Sequence, residues 1–113
     1  MLLNWDLYQI PSINSPGAPE AFITGKPTYI DNTMSEAYAR YFDAAKPYRS
    51  ILSIPIKLST GESFAVLNID SDHPYQFGSA DIINKKILPA ITPLISLIRL
   101  ERELIDNDCS ERL

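Results

Sequence analysis

The stretch "SFAVLNIDSD" (Ser63–Asp72) begins as an apolar strand and ends in acid. Its alternation sets Ala65, Leu67 and Ile69 on one side and Phe64, Val66, Asn68 and Asp70 on the other. Upstream, "SILSIPIKL" (Ser50–Leu58) alternates in the same way, and "STGE" separates the two runs with Gly61 as the turn residue. A two-residue turn at Thr60–Gly61 makes Ser59 face Glu62 and Leu58 face Ser63. Ile56 then faces Ala65, Ile54 faces Leu67, and Leu52 faces Ile69. That side of the hairpin is apolar almost throughout. The other side pairs Lys57 with Phe64, Pro55 with Val66, Ser53 with Asn68, and Ile51 with Asp70. A slip of one residue would mix the two sets, and burial of one face specifies register strongly. The hairpin therefore has one core face and one apolar face with polar groups at its far end.

Shorter elements surround this hairpin. "WDLYQI" (Trp5–Ile10) alternates and is closed by Pro11, which predicts a strand. "NSPGAPEAFITGKP" predicts a short helix, with Ser15 as cap, Pro16 in the first turn and Gly25 as a left-handed stop. "TYI" (Thr28–Ile30) predicts a short strand. "MSEAYARYFDAA" predicts a helix capped by Ser35, with Ala37, Tyr38, Tyr41 and Phe42 at helical spacing. After the hairpin, Ser79 caps a long helix with Asp81 in its first turn, where the helix dipole favours acid.

Bulk composition excludes several classes. The chain has 113 residues, which suits one domain with one core, and its hydrophobic content of 45% and charged content of 21% are ordinary for a globular protein. A net charge of −4 without a lysine or arginine cluster argues against a nucleic-acid surface, which needs a basic field. One cysteine, Cys109, cannot form an internal disulfide, and "MLLNWDLYQIP" lacks a basic leader; both suggest a cytoplasmic location. "ILPAITPLISLI" (Ile87–Ile98) carries two prolines and falls short of the roughly 20 apolar residues a membrane span needs.

The terminal helix has more apolar positions than one contact requires. Ile83, Ile87, Ala90, Leu94 and Leu97 form one stripe; Leu88, Ile91, Ile95, Ile98 and Ile105 form a second, broken by Arg102. Two stripes suggest two partners, the sheet and a second subunit, although one broad core face explains the pattern equally well. Pro89 and Pro93 each remove a backbone donor, which predicts a kink between them.

Taken together, "GAPEAFITGKPTYIDN", "YRSILSIPIKLSTGESFAVLNIDSDHPYQF" and "DI" leading into a long helix resemble the C-terminal two-thirds of a GAF domain. GAF domains are small-molecule-sensing and dimerisation modules of signalling proteins. The resemblance covers about Trp5 to Ile98. It implies an α+β fold, PAS-related, with an antiparallel sheet and flanking helices. It also implies a helix and strand ahead of Trp5 that this sequence lacks, making it a short variant or a fragment. Residues 1–99 are then the GAF-like domain and 100–113 a polar helical tail. An open sheet edge would be a second reason for self-association.

No catalytic constellation emerges. His73, the one histidine, lies in the turn-like "SDHPYQF", and acidic neighbours would raise the Cys109 pKa. Some GAF relatives use cysteines for methionine sulfoxide reduction or bilin attachment, and the matched region here has none. Asp70, Asp72 and His73 do not complete a calcium loop, since Pro74 and Tyr75 stand where glycine is needed. The cyclic-nucleotide subset is not indicated, because its "NKFDE" motif has no counterpart. No metal and no cofactor are therefore expected.

A small-molecule pocket is the better candidate. Tyr38, Tyr41, Phe42 and Tyr48 crowd the segment before the central strand, and the resemblance implies that this segment covers a ligand-holding sheet face. Arg49, Ser50, Ser53, Asn68 and Asp70 would supply polar groups. The plainer alternative has the tyrosines packing as a lid and Arg49 pairing with Asp70 or Asp43. The expected function is a ligand-sensing regulatory domain acting as a homodimer, through the C-terminal helix or a sheet edge. A purely structural dimerisation module with a self-filled pocket is the alternative.

Overall fold

The computed structural model describes residues 2–4 and 15–111, with side chains for 15–107. It is a mixed α+β fold. Three antiparallel strands form the sheet in the order β4–β3–β2: β2 (Thr28–Ile30), β3 (Ser50–Lys57) and β4 (Ser63–Ser71). A short β1 (Leu2–Asn4) runs antiparallel along the outer edge of β4, with Leu3 opposite Leu67. The strand expected at Trp5–Ile10 lies outside the described residues.

Pairing in the hairpin is Leu52 with Ile69, Ile54 with Leu67, Ile56 with Ala65 and Ser53 with Asn68, as the alternation predicts. The turn differs. The Leu58 N–H donates to the Glu62 carbonyl and the Gly61 N–H to the Leu58 carbonyl, so the loop is Ser59–Thr60–Gly61, one residue longer than expected. Gly61 takes the left-handed position, φ 94°. Lys57 then pairs with Ser63 rather than Phe64, and a bulge follows between Ile56 and Lys57. Loop and bulge each offset the register by one residue, in opposite directions. They cancel, which is why the pairing beyond Ile56 survives.

The bulge also turns Phe64 to the other side. Phe64 is buried in the same cluster as Leu52, Ile54, Ile56, Ala65 and Leu67, not on the opposite face expected for it. Covering that cluster is the terminal helix: a first turn α2 (Ala80–Ile82), a π-wound segment (Ile83–Ile87) and the long α3 (Leu88–Glu111). Ser79 caps it, its Oγ accepting from the Ile82 N–H at 3.3 Å, and Asp81 sits in the first turn. Ile83, Ile87, Leu88, Ile91, Leu94, Ile95 and Ile98 all pack on the sheet. These residues come from both expected stripes, so the sheet takes one broad face of the helix. The helix's departure from α geometry falls at Ile83–Ile87, not between the prolines. A proline ring crowds the carbonyl four residues back, which for Pro89 is that of Lys85, inside the π-wound segment.

The opposite face of the sheet is covered by α1 (Ala18–Thr24), with Ala21 fully buried beneath it. The helix starts two residues later than Pro16 implies. Gly17 is its cap at φ 88°, Pro19 occupies the first turn, and Ser15 makes no capping bond. Its end is as expected, with Gly25 left-handed and its N–H donating to the Ala21 carbonyl. Between β2 and β3 no full helix forms. Residues 33–48 fold as turns around one 3₁₀ turn, Ala39–Tyr41, because Ser35 and Asn32 hold local turns and Asp43 caps the turn that ends at Lys46.

Leu67 is completely buried between helix and sheet. Leu67→Ala is expected to cost about 2–5 kcal/mol in urea unfolding. Gly61→Ala, where an added Cβ meets nothing within 4 Å, is expected to cost only the backbone strain of about 1 kcal/mol. Equal losses for the two would contradict this placement of the core.

Candidate functional site

The sheet face under α1 carries a polar pair. Ser53 is fully buried at the centre of β3, and its Oγ donates to Asn68 Oδ1 on β4 at 2.7 Å. The two residues meet because they are register partners across the ladder. A buried hydroxyl against a half-buried amide is tolerated because each group satisfies the other. Asp70 lies one pair further along the ladder from Ile69, opposite Ile51, and is exposed.

At that end of the sheet the segment 31–49 closes over the strand ends. Ser50 is fully buried, its Oγ donating to the His73 carbonyl at 2.7 Å. Thr33 is also fully buried; its N–H donates to the Arg49 carbonyl and its Oγ1 to the Tyr48 carbonyl. Arg49 organises the loop. Its guanidinium donates to the carbonyls of Lys46, Tyr48 and Ala44, and its own N–H donates to the Ser71 carbonyl at 2.6 Å. Among the described residues Arg49 forms no ion pair with Asp70 or Asp43, so the plainer pairing expected for it is replaced by carbonyl contacts.

The four aromatics do not act as one wall. Phe42 and Tyr48 meet edge-on with centroids 6.1 Å apart. Tyr41 points outward at 40% exposure, under the Arg40 guanidinium. Tyr38 is half-buried ahead of the 3₁₀ turn. The structure thus brings together Ser53 with Asn68, and Phe42 with Tyr48. On the α3 side, Tyr29 packs edge-on to Phe77 at 5.9 Å, and burial pushes its phenol upward despite the opposing Phe77 backbone.

His73 is exposed, 3.5 Å from the Asp72 carboxylate, in the surface turn that the sequence indicates. Among the described residues no group of three histidine, cysteine or acidic side chains could hold a metal ion. Among them, too, no helix is long and apolar enough to cross a membrane.

A second surface lies on α3. Arg99 Nε donates to the Lys57 carbonyl at 2.6 Å, and the Arg102 guanidinium lies 5.3 Å from the centre of the Phe64 ring. Glu103 Oε1 accepts from both the N–H (2.8 Å) and the hydroxyl of Ser59 at the hairpin tip. These contacts hold the helix against the hairpin, and the following turns run past it. To the side, Leu97, Leu100, Glu101, Leu104 and Ile105 line an open apolar groove. Leu97 is 62%, Leu100 52%, Leu104 57% and Ile105 53% exposed. Leu100 and Leu104 belong to neither stripe read from the sequence. The three-four spacing Leu97–Leu100–Leu104 was the available signal, obscured by counting residues 100–113 as polar tail.

No family model matches the chain, and no curated protein does.

Ser53→Ala leaves the Asn68 carboxamide without its buried donor and is expected to cost about 1–3 kcal/mol by urea unfolding. For Glu103, the Ser59 hydroxyl and then the Ser59 N–H hold the carboxyl below its ordinary 4.5, with Arg99 adding to them. The stabilisation from this contact is therefore present above that value and fades as pH falls through the lower folded value. Glu103→Gln is expected to flatten that part of the loss of stability that develops as pH falls below the ordinary value of 4.5. An unchanged pH profile in the variant would show that the Ser59 contact does not form.

Proposed function

We propose that this chain is a GAF-like regulatory domain whose working unit is a pair of subunits and whose input is a small molecule. The observation that carries this reading is the division of labour on one helix. One broad face of α3 seals the sheet, and an adjacent stripe of large aliphatic residues stays uncovered. A contiguous exposed apolar surface of this kind marks an interaction site. The arrangement of sheet, covering helix and long terminal helix is compatible with the GAF resemblance, and the resemblance supplies the expectation of a ligand. The ligand would contact the sheet end where Ser53 and Asn68 approach the segment carrying Tyr38, Tyr41, Phe42, Tyr48 and Arg49, with Asp70 at the rim. Its effect would pass through β3 and the hairpin tip to α3, which grips that tip through Arg99, Arg102 and Glu103.

One observation favours a second reading, a structural dimerisation module without a ligand. The Ser53 hydroxyl already has its partner in Asn68, and the Arg49 guanidinium is occupied by three carbonyls. A thermal-shift screen across nucleotides, amino acids and organic acids separates the two. A ligand present at about 100 times its Kd stabilises the native state by about 2.7 kcal/mol, a rise of several degrees in Tm for a domain of this size. The sensing reading predicts such a rise for one chemical class, reduced in Tyr48→Ala. A flat response to all classes from an intact dimer would establish the structural module.

A further inference from the structure

We infer that two copies of this chain pair through the Leu97–Leu100–Leu104 stripe with their terminal helices antiparallel. The inference rests on the two-subunit reading above and specifies its geometry. Ala90, Pro93, Leu97, Leu100 and Leu104 follow alternating steps of three and four residues, so they form one line along α3. All five are exposed. The line runs beside the sheet-facing residues Ile91, Ile95 and Ile98, so a second helix can lie alongside without displacing the sheet.

Charge decides the direction. Near its start the terminal helix exposes Lys85 and Lys86, the first within 3.1 Å of Asp81. In sequence, its other end (residues 101–111) holds Glu101, Glu103, Asp106, Asp108 and Glu111 against Arg102. Parallel pairing would set the two acidic ends together, with Glu101, which itself lines the groove, beside the partner copy's equivalent carboxylate. Antiparallel pairing keeps the two acidic ends apart, brings positions 108–111 of each helix alongside positions 86–89 of the other, and opposes the two helix dipoles.

Residue size fits the same arrangement. When Leu97 faces the partner's Leu100, Leu104 faces the partner's Pro93 and Asn107 faces the partner's Ala90. Larger side chains from the end of one helix thus meet smaller ones near the start of the other. The turns beyond Glu103, which overhang the hairpin, lie along the partner's α3.

Cross-linking of the full chain tests the geometry, in a Cys109→Ser background that removes the native thiol. Ala90→Cys and Asn107→Cys each place one thiol on an exposed helix position. In the antiparallel pair a residue 90 or 107 lies about 25 Å from its own copy, from the helical rise. Each variant alone should therefore give no disulfide-linked dimer on oxidation, and a mixture of the two should give the mixed dimer. Self-linking of each variant would overturn the antiparallel arrangement while leaving the two-subunit reading standing. A dimer by sedimentation that links in no combination would overturn the Leu97–Leu100 seam and again leave that reading standing. A monomer by sedimentation would overturn both.

Discussion

The register between β3 and β4 is the constraint on which the remaining structure depends. Leu52, Ile54 and Ile56 share a face with Ala65, Leu67 and Ile69 only because two one-residue offsets cancel. The three-residue loop with Gly61 adds one, and the bulge at Phe64 removes it. Side-chain period in a strand is two, so either offset alone would carry half the core to the wrong side. The bulge has a second effect. It delivers Phe64 to the helix side, where a large ring fills the layer near the hairpin tip and receives Arg102.

The helix position follows from that surface. Its sheet-facing residues lie over a core of branched aliphatics, and Arg99, Arg102 and Glu103 fix its course at the hairpin tip. Because these polar contacts come just before Leu104 and Ile105, the next turns leave the sheet with apolar side chains still exposed. The opposite sheet face carries a different kind of interior. There α1 covers a surface on which Ser53 and Asn68 satisfy each other, while Arg49 ties the neighbouring loop to its own carbonyls. Two surfaces thus flank one hairpin.

Most of the hairpin was legible in the sequence because alternation over long strands is a strong signal; the pairing of Ser53 with Asn68 followed from it. Ser79, Gly25 and the strand Thr28–Ile30 were legible through local chemistry, each residue doing one thing its neighbours could not. The failures have local causes as well. The segment "MSEAYARYFDAA" has helical spacing of its aromatics, but Asn32, Ser35 and Asp43 offer side-chain or backbone turns that win over so short a stretch. The bulge at Phe64 leaves no mark in an alternating pattern. The two stripes assigned to the terminal helix divided differently, because the sheet takes Ile83, Ile87 and Leu94 from one and Leu88, Ile91, Ile95 and Ile98 from the other while Ala90, Leu97 and Ile105 stay exposed. The uncovered stripe emerged where Arg102, Glu103 and Asp106 made the tail look polar. In the candidate site, Ser53 and Asn68 were legible from register, whereas the carbonyl contacts of Arg49 depend on a loop conformation that no periodicity encodes.

Completion of the exposed α3 face by a second copy of the chain is tested most directly by sedimentation equilibrium of the full chain over a wide concentration range. A reversible monomer–dimer equilibrium is expected, which Leu100→Glu shifts to monomer without loss of folded structure by circular dichroism. A single monomeric species across the range, or a dimer unaffected by Leu100→Glu, would contradict it.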